Sequence, residues 1–87
     1  MEITLAKSKA GNDKNHVYVI IGTEQDLVYL ANGRTKTCEH PKKKKIKHIQ
    51  PIRHLPAEII GLAQNQELDD ALVNTILDLY NRRKQDV

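Results

Sequence analysis

The strongest constraint on the fold is a run of β-branched and aromatic residues, HVYVIIG, at positions 16–22. Such residues favour strands, and the glycine at its end stops the run. A second strand-prone run, LVYLA, follows at 27–31 after a polar link. Upstream, residues 2–8 alternate loosely between apolar and polar positions, and the turn-rich segment KAGNDKN separates them from the second strand. The first 31 residues therefore predict short antiparallel strands.

A tight hairpin is predicted at Asn32-Gly33, directly after the third run. Both central residues of a type I′ turn need positive φ, and Asn-Gly is the pair that best tolerates it. Residues 34–39, RTKTCE, would then return as the partner strand. The basic segment that follows contains Ile46 and Ile49, and we expect one or both to fix it to the domain as a short strand or a turn of helix.

The pattern becomes helical after Pro56, a residue that suits the first position of a helix. Residues 57–64 predict a short helix, and residues 68–84 predict a longer one. Seven apolar residues form one broad face of the longer helix: Leu68, Leu72, Val73, Ile76, Leu77, Leu79 and Tyr80. Asp69 and Asp70 stand at its start, where negative charge complements the helix dipole.

These elements predict a β-barrel plus α fold: a small antiparallel barrel with one or two C-terminal helices. The chain has 87 residues, which is enough for one core. Within it we predict a barrel with a basic extension over residues 1–53 and a helical segment over residues 54–87. A barrel of this size needs cover, so we expect the helical segment to pack on it rather than to form a dimer face.

Positive charge is concentrated in HPKKKKIKHIQPIRH, residues 40–54. Between positions 34 and 56 there are eight Lys or Arg residues against one acid. Residues 1–56 carry a formal charge of +6 (eleven basic, five acidic), and residues 57–87 carry −3 (three basic, six acidic). Such a block is favourable beside a polyanion, where each lysine that neutralises a phosphate releases a counterion.

The charge pattern therefore predicts binding to nucleic-acid phosphates. The expected RNA-binding residues are Lys9, Lys14, Arg34, Lys36, Lys42, Lys43, Lys44, Lys45, Lys47 and His48. The alternatives for the lysine run are a solvated charged loop, a disordered tail or a nuclear-import signal. There are only three aromatic residues, all tyrosines, and Tyr18 and Tyr29 fit core packing better than base stacking. This favours recognition of a structured RNA by shape.

Metal binding and catalysis are not expected. Cys38, His40, His48 and His54 match none of the usual zinc spacings, and a Cys–His pair lacks a third orienting group. We therefore predict no cofactor, no metal and no enzymatic activity. With one cysteine there is no intramolecular disulfide, and we find neither a signal peptide nor a membrane span. These features predict a cytoplasmic protein, and we expect a monomer.

Three segments carry a resemblance to a known family: SKAGNDKN followed by VYVI, then DLVYLANGRTK, then HPKKKKIKHIQ. In this combination the chain resembles the bacterial KOW-domain RNA-binding proteins, relatives of a large-subunit ribosomal protein of archaea and eukaryotes. The matching positions lie within residues 1–53 and are Ser8, Lys9, Ala10, Gly11, Asp13, Lys14, Asp26, Val28, Tyr29, Leu30, Ala31, Gly33, Arg34, Pro41, the lysine run, Lys47 and His48.

The resemblance implies an SH3-like barrel that binds RNA, often ribosomal RNA, through barrel loops and the basic extension, with possible contacts to ribosomal proteins. The chain departs from the family at Asn15, where glycine is usual. We expect this position to need positive φ, which asparagine tolerates best after glycine. The alternative from another class is a protein-interaction adaptor that uses the barrel groove or the C-terminal helix. Salt separates the two, because phosphate binding weakens steeply with salt.

Overall fold

The computed structural model describes residues 4–52, 55–63 and 67–85. Across these residues, five strands are followed by two helices, and a 3₁₀ turn, Ile46–His48, lies between the fourth strand and the fifth. The elements are β1 (Thr4–Ser8), β2 (Val17–Glu24), β3 (Leu27–Ala31), β4 (Lys42–Lys45), β5 (Ile49–Ile52), α1 (Ala57–Ala63) and α2 (Asp70–Gln85).

The five strands form one curled antiparallel sheet in the order β4-β3-β2-β1-β5. β1, β2 and β3 are consecutive neighbours, and β5 returns to pair with the free side of β1. The lysine-rich β4 pairs with β3 and is one edge of the sheet. The prediction of a small antiparallel β fold with a C-terminal helix is confirmed at this level.

The first three predicted strands are confirmed, although residues 2 and 3 lie outside the described residues. The turn after β1 contains two residues with positive φ, Gly11 at 89° and Asn15 at 75°. The expectation for Asn15 is therefore also confirmed. Between β2 and β3, Glu24 pairs directly with Leu27, so the tight hairpin of the sheet is a two-residue loop that begins at Gln25.

The predicted hairpin at Asn32-Gly33 is wrong. Gly33 has positive φ but Asn32 does not, and residues 34–39 form no strand. Instead, the side-chain oxygen of Asn32 accepts hydrogen bonds from the backbone N–H groups of Arg34 (2.9 Å) and Lys36 (3.0 Å). These donors are thereby satisfied locally and are not offered to a sheet ladder. The chain forms a compact loop here, and the strand that pairs with β3 is β4.

The core has two parts, one on each face of the sheet. On the helix side, apolar residues of the strands pack with both helices: Leu5, Val19, Ala31, Ile59, Leu72, Val73, Ile76 and Leu77. On the opposite face a smaller cluster contains Ala6, Tyr18, Val28, Leu30 and Ile49. Ile49 is the residue that fixes the basic segment, whereas the side chain of Ile46 is exposed.

The C-terminal helix packs across the sheet, as its apolar face predicts. α2 begins at Asp70 rather than at residue 68, because the carboxylate of Asp69 accepts a hydrogen bond from the N–H of Leu72 (2.8 Å) and caps the helix. The shorter helix, α1, contributes Ile59 to the core. The predicted boundary at residues 53 and 54 and the end of the first helix at residue 64 lie outside the described residues. Neither of the two described helices has the length and apolar composition needed to cross a membrane.

Replacing glycine by alanine should change the free energy of unfolding in opposite directions at two positions. Gly33 has φ of 76°, and a Cβ there would stand 2.6 Å from the backbone oxygen of Asp70. Gly33→Ala should therefore lower the free energy of unfolding by about 2 kcal/mol or more. Gly61 lies inside α1 with no heavy atom near a new Cβ, so Gly61→Ala should raise it by about 0.5–1 kcal/mol. Urea unfolding of both variants measures this, and equal effects would contradict the described loop.

Candidate nucleic-acid interface

The four consecutive lysines of β4 do not share one surface. Side chains alternate between the two faces of a strand. Lys42 pairs with Leu30 and Lys44 with Val28, so both lie on the face of the smaller core cluster. Lys43 pairs with Tyr29 and points to the other face, as does Lys45. The run therefore divides into an inward pair and an outward pair.

The inward pair binds one buried carboxylate. Asp13, in the turn after β1, is only 6% exposed. Its Oδ1 lies 2.7 Å from the ammonium of Lys44 and accepts a hydrogen bond from Ser8 (2.9 Å). Its Oδ2 lies 3.0 Å from the ammonium of Lys42 and accepts a hydrogen bond from the hydroxyl of Tyr18 (3.0 Å). We call these five residues the Asp13 anchor.

The ammonium of Lys44 also donates to the backbone oxygen of Ala10 at 2.9 Å. Lys44 thus joins the turn after β1 to the edge strand by two separate contacts. Its side chain is 10% exposed and that of Lys42 is 30% exposed, so neither ammonium group is free in the way that the sequence suggests. Both ammonium groups hold the strand in place through Asp13.

The anchor shifts two pKa values in opposite directions. Burial raises the pKa of the Asp13 carboxyl, but hydrogen bonds from Lys44, Lys42, Ser8 and Tyr18 outweigh it and hold the pKa well below its ordinary value. For Tyr18, burial and the hydrogen bond to the Asp13 carboxylate raise the pKa to about 12. Within the anchor, the Asp13 carboxylate is therefore ionised and the Tyr18 phenol is neutral throughout the physiological range.

The outward lysines have a different environment. The ammonium of Lys43 lies 5.8 Å from the centroid of the Tyr29 ring, within the range of a cation–π contact. The hydroxyl of Tyr29 donates to Glu24, and this hydrogen bond together with some burial raises the pKa of the phenol. Lys45 and Lys47 are exposed. Of the five lysines in the basic segment, these three can reach a partner without disturbing the fold.

Two predicted residues of the first turn lie beside this segment. The backbone N–H of Lys9 donates to the backbone oxygen of His48 at 2.8 Å, which places the turn against the junction of the 3₁₀ turn and β5. The side chains of Lys9 and Lys14 are exposed, and His48 is half-buried. The structure thus brings the first turn and the segment 43–48 together.

Arg34 and Lys36 lie in the loop after β3, and the loop is held by α2. The Nε of Arg34 donates to the side-chain oxygen of Asn74 at 3.0 Å, and the amide nitrogen of Asn74 donates to the backbone oxygen of Gly33 at 2.9 Å. Asp70 accepts a hydrogen bond from the backbone N–H of Cys38 at 2.9 Å. Arg34 is therefore fixed against the helix and not on the lysine strand.

The residues considered for zinc do not form a cluster in the described part of the chain. Across residues 4–52, 55–63 and 67–85, no group of three His, Cys, Asp or Glu side chains could hold a metal ion, and His54 lies outside these residues. Burial, together with the hydrogen bond to Asp70, raises the pKa of the Cys38 thiol. A protonated thiol is a poor nucleophile, which agrees with a structural role for this cysteine.

Sequence reasoning treated Asp13 only as a turn former and so missed its role as an anchor. Two signals could have found it. Four residues in one strand must alternate, so two of the four lysines must face the core and need a counter-charge. Apart from Glu2, Asp13 is the only acid in the first 23 residues, and it stands in a turn where a carboxylate can reach a neighbouring strand.

A scan against protein-family models found no match for this chain, and a search of curated proteins found none either. The likeness to KOW-domain proteins accordingly stands on the three sequence segments alone. The outward lysines are the feature of the described structure that bears most directly on function.

The pKa of Asp13 generates a prediction about acid stability. Its folded pKa is depressed, so its contribution is fully present above the ordinary value of 3.8 and is lost as pH falls below that value. Asp13→Asn should cost about 3 kcal/mol at pH 7, because two ammonium groups lose their partner. Below about pH 4 the difference between wild type and variant should shrink by about 1.4 kcal/mol per pH unit. Urea unfolding between pH 7 and 2 measures it, and a constant difference would refute the ionised anchor.

The same substitution at two neighbouring lysines tests whether β4 divides into an inward and an outward pair. Lys44→Met removes two hydrogen bonds, to Asp13 and to the oxygen of Ala10, and should lower the free energy of unfolding by about 2 kcal/mol. Lys43→Met changes an exposed side chain and should stay within about 0.5 kcal/mol of wild type. Equilibrium unfolding in urea at pH 7 compares them. If both variants were equally stable, the alternation described for β4 would be wrong.

Proposed function

We propose that this protein is a non-enzymatic RNA-binding protein that holds RNA phosphates with the outward lysines of β4 and the adjoining turn. The residues assigned to this contact are Lys43, Lys45 and Lys47, with Lys9, Lys14 and His48 beside them. We propose further that the protein is cytoplasmic and monomeric. Its resemblance to KOW-domain proteins suggests structured ribosomal RNA as the target and ribosomal proteins as possible neighbours.

The observation that carries the proposal is a row of exposed cations on a fixed backbone. Lys43 and Lys45 point in the same direction about 6.6 Å apart along the strand, so each can neutralise a separate phosphate. Lys47 continues the row in the 3₁₀ turn. Because the Asp13 anchor fixes the strand, binding would order the lysine side chains but not the backbone, which lowers the entropic cost of binding.

The finer fold assignment belongs to the same proposal. An SH3-like barrel is supported by the five-stranded order, by the return of β5 to β1 and by the 3₁₀ turn that precedes β5. Recognition by shape is supported by the aromatic residues. Tyr18 is buried and bonded to Asp13, and Tyr29 has its hydroxyl bonded to Glu24 and its ring beside Lys43. Neither β2 nor β3 therefore carries the set of exposed aromatic rings on which bases stack.

The adaptor alternative loses one of its two supports. The apolar face of α2 is used within the fold, since Leu72, Val73, Ile76 and Leu77 are buried against the sheet and α1. The helix therefore cannot offer that face to a partner without opening the core. Peptide binding by the barrel groove is the form of the alternative that remains. It is distinguished from RNA binding by its weak response to salt.

A salt titration tests the proposal without disturbing the fold. Replacing Lys43, Lys45 and Lys47 together by Gln should weaken binding to RNAs of different sequence alike. The slope of log affinity against log salt should become shallower by about 0.7–0.9 for each phosphate that is no longer neutralised, or about 2–3 in all. The measurement is fluorescence anisotropy with a structured ribosomal RNA fragment over a range of salt concentrations.

Two controls make the result specific. Arg82→Gln removes one exposed cation from the far end of α2 and should leave the slope unchanged, whereas Lys45→Gln alone should reduce it by about 0.7–0.9. Replacing all of Lys42–Lys45 would confuse binding with folding, because Lys42 and Lys44 hold Asp13. An unchanged slope in a folded triple variant would mean that the outward lysines only keep the edge strand soluble.

A further inference from the structure

An open groove of about 380 Å³ lies between the start of β2, the loop after β3 and α2. Its polar lining consists mainly of Asn15, His16, Arg34, Asn74, Asp78 and Asn81. The volume falls within the range of about 300–1,000 Å³ that is usual for small-ligand sites. The function proposed above assigns no role to any of these groups.

The charges in the groove argue against a phosphate site. Arg34 and Asp78 both line it, so one cation is offset by one carboxylate. The carboxylate of Asp78 would repel a phosphate here. At the outward face of β4, by contrast, three exposed lysines stand beside two acids, Glu24 and Asp26. The remaining polar groups of the groove are mostly side-chain amides. The lining therefore suits a neutral ligand that both donates and accepts hydrogen bonds.

Some of these polar groups are held by hydrogen bonds within the protein, and others have no partner among the described residues. Arg34 is held through its Nε by Asn74, which leaves its two terminal NH₂ groups available. Asn74 is itself held by the backbone oxygen of Gly33. Across the groove, the side chains of Asp78 and Asn81 have no hydrogen-bond or ion-pair partner among the described residues. A positioned guanidinium thus faces unpartnered acceptors and donors on one helix surface.

Guanine matches this arrangement better than the other bases. It presents two adjacent acceptors, O6 and N7, to which arginine binds bidentately, and an amino donor that a carboxylate accepts. These edges can be read in RNA when the base is unpaired, because the deep groove of an A-form helix excludes side chains. Lys14 precedes Asn15 at the rim, and Lys36 follows in the loop that carries Arg34, so cations stand near each side.

We propose that this groove binds an unpaired guanine base of RNA, with Arg34 and Asp78 as the residues that recognise it. The inference rests on the RNA binding proposed above and adds specificity to it. β4 would supply affinity that is independent of sequence, and the groove would select a bulge or loop that contains guanine.

Three RNA hairpins with one common stem are the probes: fully paired, with one bulged guanosine, and with one bulged uridine. The wild type should bind the bulged guanosine about five- to 150-fold more tightly than either of the others. Asp78→Ala should remove most of this preference, while its affinity for the paired stem stays constant or rises because a repelling charge is gone. Arg34→Lys keeps the charge but not the bidentate fork, so it should lose the preference and keep the salt slope.

Glu67→Ala removes an exposed carboxylate that does not line the groove and should keep the preference. Thermal unfolding checks that each variant is folded. Equal wild-type affinity for the three hairpins, or a preference that survives both groove variants, would overturn the guanine site. If the paired stem still binds in a salt-dependent way in that case, phosphate binding by β4 stands. No salt-dependent binding to any hairpin would overturn both proposals.

Discussion

The buried carboxylate of Asp13 is the interaction on which the edge of this sheet depends. A strand of four lysines is a poor strand by composition, because lysine is depleted in strands and adjacent ammonium groups repel each other. Asp13 lies within 3.0 Å of two of these groups and accepts two hydroxyl hydrogen bonds as well. It thereby satisfies the inward side of β4 and ties the first turn to this edge. Ion pairs of this kind are costly to bury, and they persist where every partner is satisfied.

This arrangement separates two tasks that the sequence presents as one. Lys42 and Lys44 serve the fold, and Lys43 and Lys45 are exposed on the other face, although the four are chemically identical. The separation follows from the period of two in a strand and from the presence of the buried Asp13 carboxylate on the inward side. It also explains why an exposed edge strand is tolerated here, since outward lysines oppose pairing with another chain. The protection against aggregation and the proposed affinity for phosphates have the same physical source.

Sequence reasoning succeeded where local preference and tertiary structure agree. The β-branched runs predicted β2 and β3, the apolar period predicted α2, and the requirement for positive φ at Asn15 followed from the turn. It failed at residues 34–39, where the deciding partners are remote: Asp70 and Asn74 hold this loop from 32 and 40 or more residues away. No local pattern contains such partners. A short strand was only one of the two options predicted for the lysine segment. The strand forms by pairing with β3, and its inward ammonium groups need the carboxylate of Asp13, which is remote in sequence.

The C-terminal helix has a larger role than cover for the sheet. Its apolar side completes the core through Val73 and Ile76, and its first turns fix the loop after β3 through Asp70 and Asn74. The same helix then presents Asp78 and Asn81 to the groove that Arg34 lines. The two surfaces therefore depend on different anchors. Asp13 holds β4 in place, and α2 holds Arg34 in place. A change in one anchor should leave the other surface in place, which is the physical reason why the proposed affinity for phosphates and the proposed selection of a base would be separable by mutation.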